Sequence, residues 1–290
     1  MSEDLRVASD YTQLALHALA HLAAPGPGRL DEPHYLAWSR AEVPPAARAP
    51  IEQDASAIAS LWARERADAL HAMPELYSDV AQARASAARA LTELTARDVA
   101  DPGLLAALRQ SAAAELLRGA ILLAAPAWAR FFRDELADRC ARGLERIAPL
   151  LTLARAMHPP LASARVELAF PLGSRGRAFS RRILVGVPGD FAGLDAATPV
   201  VLAMHEASVR AHDRGPVEER YVRAEWAALV EVARTVAAAP AELREAHAGW
   251  LAALDLEELA EGAAALGLTT AEQARRVATD RAARAGELAR

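Results

Sequence analysis

Residues 198–236 read TPVVLAMHEASVRAHDRGPVEERYVRAEWAALVEVARTV. Thr198 offers a hydroxyl to the first amides of a helix, and Pro199 suits the first helical position, where no N–H is needed. Val200, Val201, Leu202 and Met204 open an apolar run. Gly215 and Pro216 end it with a left-handed cap and a residue that cannot continue the helix. The spacing predicts a helix over about 199–213, antiparallel to a second over about 217–236.

Upstream of this stretch the pattern changes period. From Arg165 to Phe170, Val166, Leu168 and Phe170 alternate with Arg165 and Glu167, the period of a strand. Pro171 to Gly176 is rich in turn formers, and RRILVGV, ending at Val187, is again strand-like. Residues Ala164–Val187 are therefore expected to form a β-hairpin with a long loop. An isolated hairpin is marginal, so it must pack on helices or gain another strand.

The rest reads as helix. Asp10 with Gln13 forms a capping box for a first helix that ends at Pro25–Gly28. A Pro-punctuated segment with His34, Tyr35 and Trp38 follows. Further helices are expected over Ile51–Met73, Leu76–Arg97, Gly103–Leu123 and Ala127–Met157, stopped by Pro159–Pro160. Capping boxes at Asp255/Glu258 and Thr269/Glu272 begin two C-terminal helices, the last a charged Ala271–Arg290 that frays. The fold class is mostly α: a multi-helix domain with one β-hairpin or small antiparallel sheet at about 164–187. One domain over 1–290 is expected, with 1–158 and 159–290 as its subdivision.

Composition narrows the chemistry. With 53% hydrophobic and 5% aromatic residues, the 290-residue chain can bury a core of closely packed Ala-rich helices. All 33 basic residues are Arg, since the chain has no Lys, which excludes Schiff-base, phosphate-loop and kinase-type lysines. The net charge of -5 gives no general attraction to nucleic acid or anionic lipid. The lone Cys140 excludes an internal disulfide and Cys-rich zinc modules. The polar start MSEDLRVASDY is no secretory signal, and the longest apolar run, Ala120–Trp128, is short and interrupted by Pro126. A soluble, cytoplasmic protein is expected, without a membrane partner.

The chemistry-bearing residues concentrate in the opening stretch. A strand pair, a loop and then a helix carrying His-Glu is the order in which many zinc peptidases build a His-Glu-x-x-His site, with Glu as general base. His205 and Glu206 match the first two positions, and Glu225 lies on the next helix as a further ligand. The match then breaks, because the residue four after His205 is Val209. His212 returns to the same face but about 10.5 Å along the axis, too far for a regular helix to bring both rings to one ion. A composite metal site remains, with His205 and Glu225 joined by His17 or His21, which share a face at i, i+4 spacing.

Glu206 is the catalytic candidate of that site, a divalent ion such as zinc the cofactor, and His205, Glu225, His212, His17 and His21 the candidate ligands. The plain alternative is a salt-bridged network of His205, Glu206, Arg223 and Glu225 joining two helices. Ser208 and Ser180 lack a nucleophile-elbow pattern. Three function classes follow. The first is a metal-dependent, hydrolase-like enzyme on the helix pair 199–236. The second is a helical scaffold or partner protein, with Arg175 and Arg177 at the hairpin tip facing a protein or peptide. The third is a DNA-binding regulator using ELAEGAAALGLTTAEQARRV as a helix-turn-helix with Arg275, Arg276 and Arg281, weakened by Asp255, Glu257, Glu258 and Glu261 on its first helix.

Overall fold

The computed structural model describes residues 4–22, 33–65, 68–96, 102–173, 175–179, 182–187, 195–213 and 217–290. Its sheet is small and mixed. Strands β1 (Leu5–Val7), β2 (Arg165–Ala169), β3 (Gly176–Ala178) and β4 (Arg182–Gly186) lie in the order β1-β2-β4-β3. β1 is parallel to β2 and β2 to β4, with Val166 beside Ile183 and Leu168 beside Val185. The expected pairing of the first and second strand-like runs as a hairpin is therefore corrected: the hairpin joins β3 to β4.

The reason lies in burial. Ile183, Leu184 and Val185 are all fully buried, and a strand apolar on both faces belongs inside a sheet. β3, a half-exposed Gly-Arg-Ala, takes the edge. Between β2 and β3 a 3₁₀ turn at Phe170–Leu172 and Gly173, at φ 55°, redirect the chain. β1 is three residues long, too short to register as a period.

Thirteen α-helices surround this sheet among the described residues. In α1 (Asp10–His21) every residue from Tyr11 to Ala20 is buried. Its cap is Ser9, which accepts from the Thr12 N–H at 3.1 Å, rather than an Asp10/Gln13 box. Gln13 instead ties the helix to the sheet by accepting from the Phe170 N–H at 3.1 Å. α2 (Pro33–Glu42) and α3 (Pro45–Glu65) follow, then a 3₁₀ segment at Asp68–Glu75 and the short α4 (Val80–Ala85). The long helices expected over 51–73 and 76–97 are thus broken up.

α5 (Pro102–Gln110) stops at Ser111, whose hydroxyl accepts from the Ala114 N–H at 3.0 Å and starts α6 (Ala112–Phe131). The Glu65 carboxylate sits on the same helix start, accepting from Ser111 Oγ at 2.6 Å and the Ala112 N–H at 2.9 Å, where an anion is favoured. Pro126, by contrast, does not interrupt the helix. A π-turn at Phe132–Leu136 carries α6 into α7 (Ala137–Met157). The continuous helix Ala112–Met157 is long and apolar enough by composition to cross a membrane; its most apolar 18 residues have a mean hydropathy of 1.3 and are 50% buried.

α8 (Ala197–His212) and α9 (Val217–Ala237) fall where the sequence puts them. The cap of α8 is Asp195, which accepts from the Ala197 N–H at 2.9 Å and from the Thr198 hydroxyl, so Thr198 donates rather than caps. The stop at Gly215–Pro216 and the loop at Pro25–Gly28 lie outside the described residues. α10 (Ala241–Ala253), α11 (Glu257–Ala265), α12 (Ala271–Thr279) and α13 (Arg284–Ala289) complete the chain.

The expected single frayed helix over 271–290 is two helices clasped to the body. Arg284, 2% exposed, donates to the carbonyls of Leu251 (2.9 Å), Leu254 (2.6 Å), Val277 (2.6 Å) and Ala278 (2.7 Å). One guanidinium so satisfies the orphan carbonyls at the ends of α10 and α12.

Candidate functional site

α8 packs on β3 and β4 and against α9 and α10, which puts the His-Glu pair at the meeting point of four elements. His205, 6% exposed, turns toward α9, and its Nε2–H donates to Glu225 Oε2 at 3.0 Å. Its ring lies 5.0 Å from Trp250 of α10, and His247 flanks the same indole at 6.1 Å. His205 Nδ1 and His247 Nε2 are buried without a partner among the described residues.

Glu206, about 100° further around α8, turns toward the strand instead. It packs beneath Gly176: a Cβ there would stand 2.4 Å from Glu206 Cγ and 3.0 Å from its Oε1. Only the residue without a side chain leaves room for this carboxylate. The Ala178 backbone N–H and the Arg177 charge both lie within its field.

The electrostatics follow from that geometry. Burial pushes the Glu206 carboxyl up to about 7; Glu225 adds to the rise, while His205, the Ala178 N–H and Arg177 oppose it. For His205, burial favours the neutral ring, but the Glu225 hydrogen bond and the charges of Glu225 and Glu206 outweigh it and raise the imidazole. Burial and then the His205 charge lower His247 to about 4, so it stays neutral. Tyr221, one turn before Glu225, is 60% exposed. Partial burial and the charges of Glu225, Glu206 and Glu258 raise its phenol.

The remaining candidates lie elsewhere. His212 bonds Glu231 at 3.0 Å on the exposed end of the α8–α9 seam, not His205's partner. His17 and His21 do share a face, with rings 4.6 Å apart. They belong to an aromatic core cluster: His17 stacks on Trp128 at 4.8 Å and binds Tyr35 Oη through Nδ1 at 2.7 Å, and His21 Nε2 meets Ser39 Oγ at 3.3 Å. Burial holds His17 well below its ordinary value and lowers His21.

Arg223 pairs with Glu219 on its own helix and not with Glu206. Ser208 is fully buried beside His158 Nε2 at 2.9 Å, but that nitrogen also meets the Met204 carbonyl at 3.0 Å. A carbonyl only accepts, so the proton is on Nε2 and this imidazole does not activate the serine. Ser180 lies outside the described residues.

For zinc the donor set falls short. His205 and Glu225 are two donors, catalytic zinc takes three from the protein, and no group of three His, Cys, Asp or Glu converges to hold an ion among the described residues.

Sequence reasoning missed Gly176, Ala178, His247 and Trp250. Gly176 reads as a turn former, and His247 and Trp250 read as one apolar face of a helix. Their convergence on His205 and Glu206 is a product of tertiary packing. Comparison of the chain with protein-family models, with curated proteins and with solved structures finds no match.

Proposed function

We propose that the place where α8 packs on β3 and α9 is an acid–base site of hydrolytic type, with Glu206 as the group that moves the proton. One observation carries this reading: a carboxyl sunk beneath Gly176, titrating at about 7, with no ion-pair partner among the described residues. A group poised near neutral pH can take a proton and return it within one reaction. Ionised Glu206 takes a proton from water as the water oxygen bonds to an amide or ester carbonyl carbon. Protonated Glu206 then gives that proton to the leaving nitrogen or oxygen as the bond to carbon breaks. His205, held by Glu225, contributes positive charge to the field at Glu206 when it is protonated.

A zinc-dependent form of the same reaction, expected from the His-Glu pair, rests on His205 and Glu225 alone and would need a third ligand. The scaffold reading draws on the exposed basic edge at Arg175. The DNA reading loses its best cation: Arg276 on α12 is engaged by Glu272 at 2.7 Å and Glu287 at 3.3 Å.

The test uses full-length protein and fluorescein-labelled casein. Turnover is expected to rise through a pH midpoint near 7 and to be abolished by Glu206→Gln with the fold intact. Turnover unchanged in Glu206→Gln would overturn the reading. Metal analysis of the same preparation separates the two forms: one zinc per chain, lost in His205→Ala, would replace the metal-free form with the zinc-dependent one.

A further inference from the structure

β3 is the outermost strand of the sheet. Its backbone faces two ways. The Phe179 N–H donates to the Arg182 carbonyl at 2.8 Å, and the Arg175 carbonyl accepts from the Gly186 N–H at 2.7 Å. With Arg177 opposite Leu184, residues 175, 177 and 179 form the hydrogen-bonded pairs with β4. The N–H and C=O groups of Gly176 and Ala178 consequently point past the last strand.

The N–H of Ala178 lies within the field that Glu206 feels. The Gly176 N–H and C=O belong to the residue whose face packs on the Glu206 side chain. An edge of this kind is a template for another chain, and here the template and the proton-transfer group share one glycine. Arg175 is exposed and Arg177 half-exposed on the same strand, so the edge is basic.

We propose that the ligand of this site is an extended polypeptide segment that adds to β3 as a further strand, hydrogen-bonded through its main chain to Gly176 and carrying an acidic side chain to Arg175. Strand addition takes affinity from main-chain hydrogen bonds and specificity from alternate side chains. It would hold a peptide carbonyl next to Glu206. The proposal names the substrate class for the acid–base reading and rests on it for turnover, but binding is measured separately.

The experiment uses the full chain carrying Glu206→Gln and a fluorescein-labelled hexapeptide of alternating Glu and Val, read by anisotropy. Saturable binding is expected, weakened about tenfold or more when alternate peptide amides are N-methylated, and by a similar factor when Glu is replaced by Lys. Equal affinity for the methylated and unmethylated peptides, or no binding up to about 1 mM, would overturn the proposal. Methylation-sensitive binding of the peptide, with no turnover of it or of casein by the protein with Glu206 intact, supports the strand and removes the hydrolytic reading. Casein turnover that depends on Glu206, with methylation-insensitive binding, does the reverse.

Discussion

Glu167 and Glu206 are carboxylates beside the same four-stranded sheet, held in opposite ways. Glu167, on the interior strand β2, is fully buried and meets two guanidiniums: Arg6 Nε at 2.8 Å and Arg182 Nη1 at 2.8 Å. Arg182 is itself fixed by the Pro74 carbonyl at 2.9 Å. Glu206, under the edge strand, has no arginine paired with it among the described residues and meets the Arg177 charge only through its field. A buried charge with its partners in place is part of the framework. A carboxyl placed beside charges without a pairing cation keeps its proton into the neutral range, and such groups mark candidate sites. The difference between these two residues, rather than the presence of acidic residues, locates the site.

The comparison breaks first at Glu167. Replacing Glu167 by Gln leaves Arg182, with its side chain 14% exposed, only the longer Glu75 pair at 3.5 Å. Removing one partner of a buried ion pair costs about 3–5 kcal/mol. The half-exposed Arg6 turns to water and brings the expected loss to the lower end. Urea melts at pH 7 should show that loss for Glu167→Gln and none for Glu206→Gln. Equal losses for both would mean that Glu206 is as much a framework residue as Glu167.

The next test is pH. Glu206 titrates at about 7 in the fold against 4.5 unfolded. A raised folded value means that its contribution is fully present below the unfolded value and is lost as pH rises through the folded one. Stability therefore falls between about pH 4.5 and 7 on this group's account, and His205, also raised, extends the fall above its ordinary 6.5. At about 1.4 kcal/mol per unit the Glu206 shift caps the effect near 3 kcal/mol, and partial exposure reduces it to roughly 1–3 kcal/mol.

His247 has the opposite sign. At about 4 in the fold against 6.5 unfolded, its contribution is present above 6.5 and lost as pH falls toward 4. Glu206→Gln should remove the fall between about pH 4.5 and 7 and leave the His247 rise between about pH 4 and 6.5 in place. Parallel profiles for parent and variant would show that Glu206 is not buried in solution.

Much of this was legible beforehand. The α8–α9 pair is written locally, by an apolar run and its terminators, and the His205–Glu225 approach follows from two antiparallel helices. The sheet topology was not legible, because pairing depends on which strand is buried on both faces, and Glu167, a charge that is buried, makes β2 read as a strand with one polar face. The position of Arg284 was not legible either: among 33 arginines, nothing local distinguishes the one that closes two helix ends. Prolines misled for a related reason. Pro126 lies inside α6, where burial outweighs the one amide bond it removes, whereas the break at Ser111 rests on a hydroxyl and on Glu65, which is remote in sequence.

The smallest effect on stability, and the sharpest on the site, is expected from the edge itself. Arg175 is exposed, so its reversal to Glu, made alone and together with Arg177→Glu, should by itself change stability by no more than about 0.5 kcal/mol. Two consequences separate a binding edge from a solvated one. Affinity for the acidic hexapeptide should drop by about tenfold or more, since like charges now face it. Arg177 also lowers the Glu206 value, so its reversal should move the midpoint of casein turnover to higher pH while Arg175→Glu alone leaves the midpoint in place. The first effect reports on what the edge holds and the second on what it does to the carboxyl beneath. If the double variant keeps the peptide affinity and the midpoint of the parent, β3 is a solvated edge, and Glu206 does no more than pack beneath Gly176.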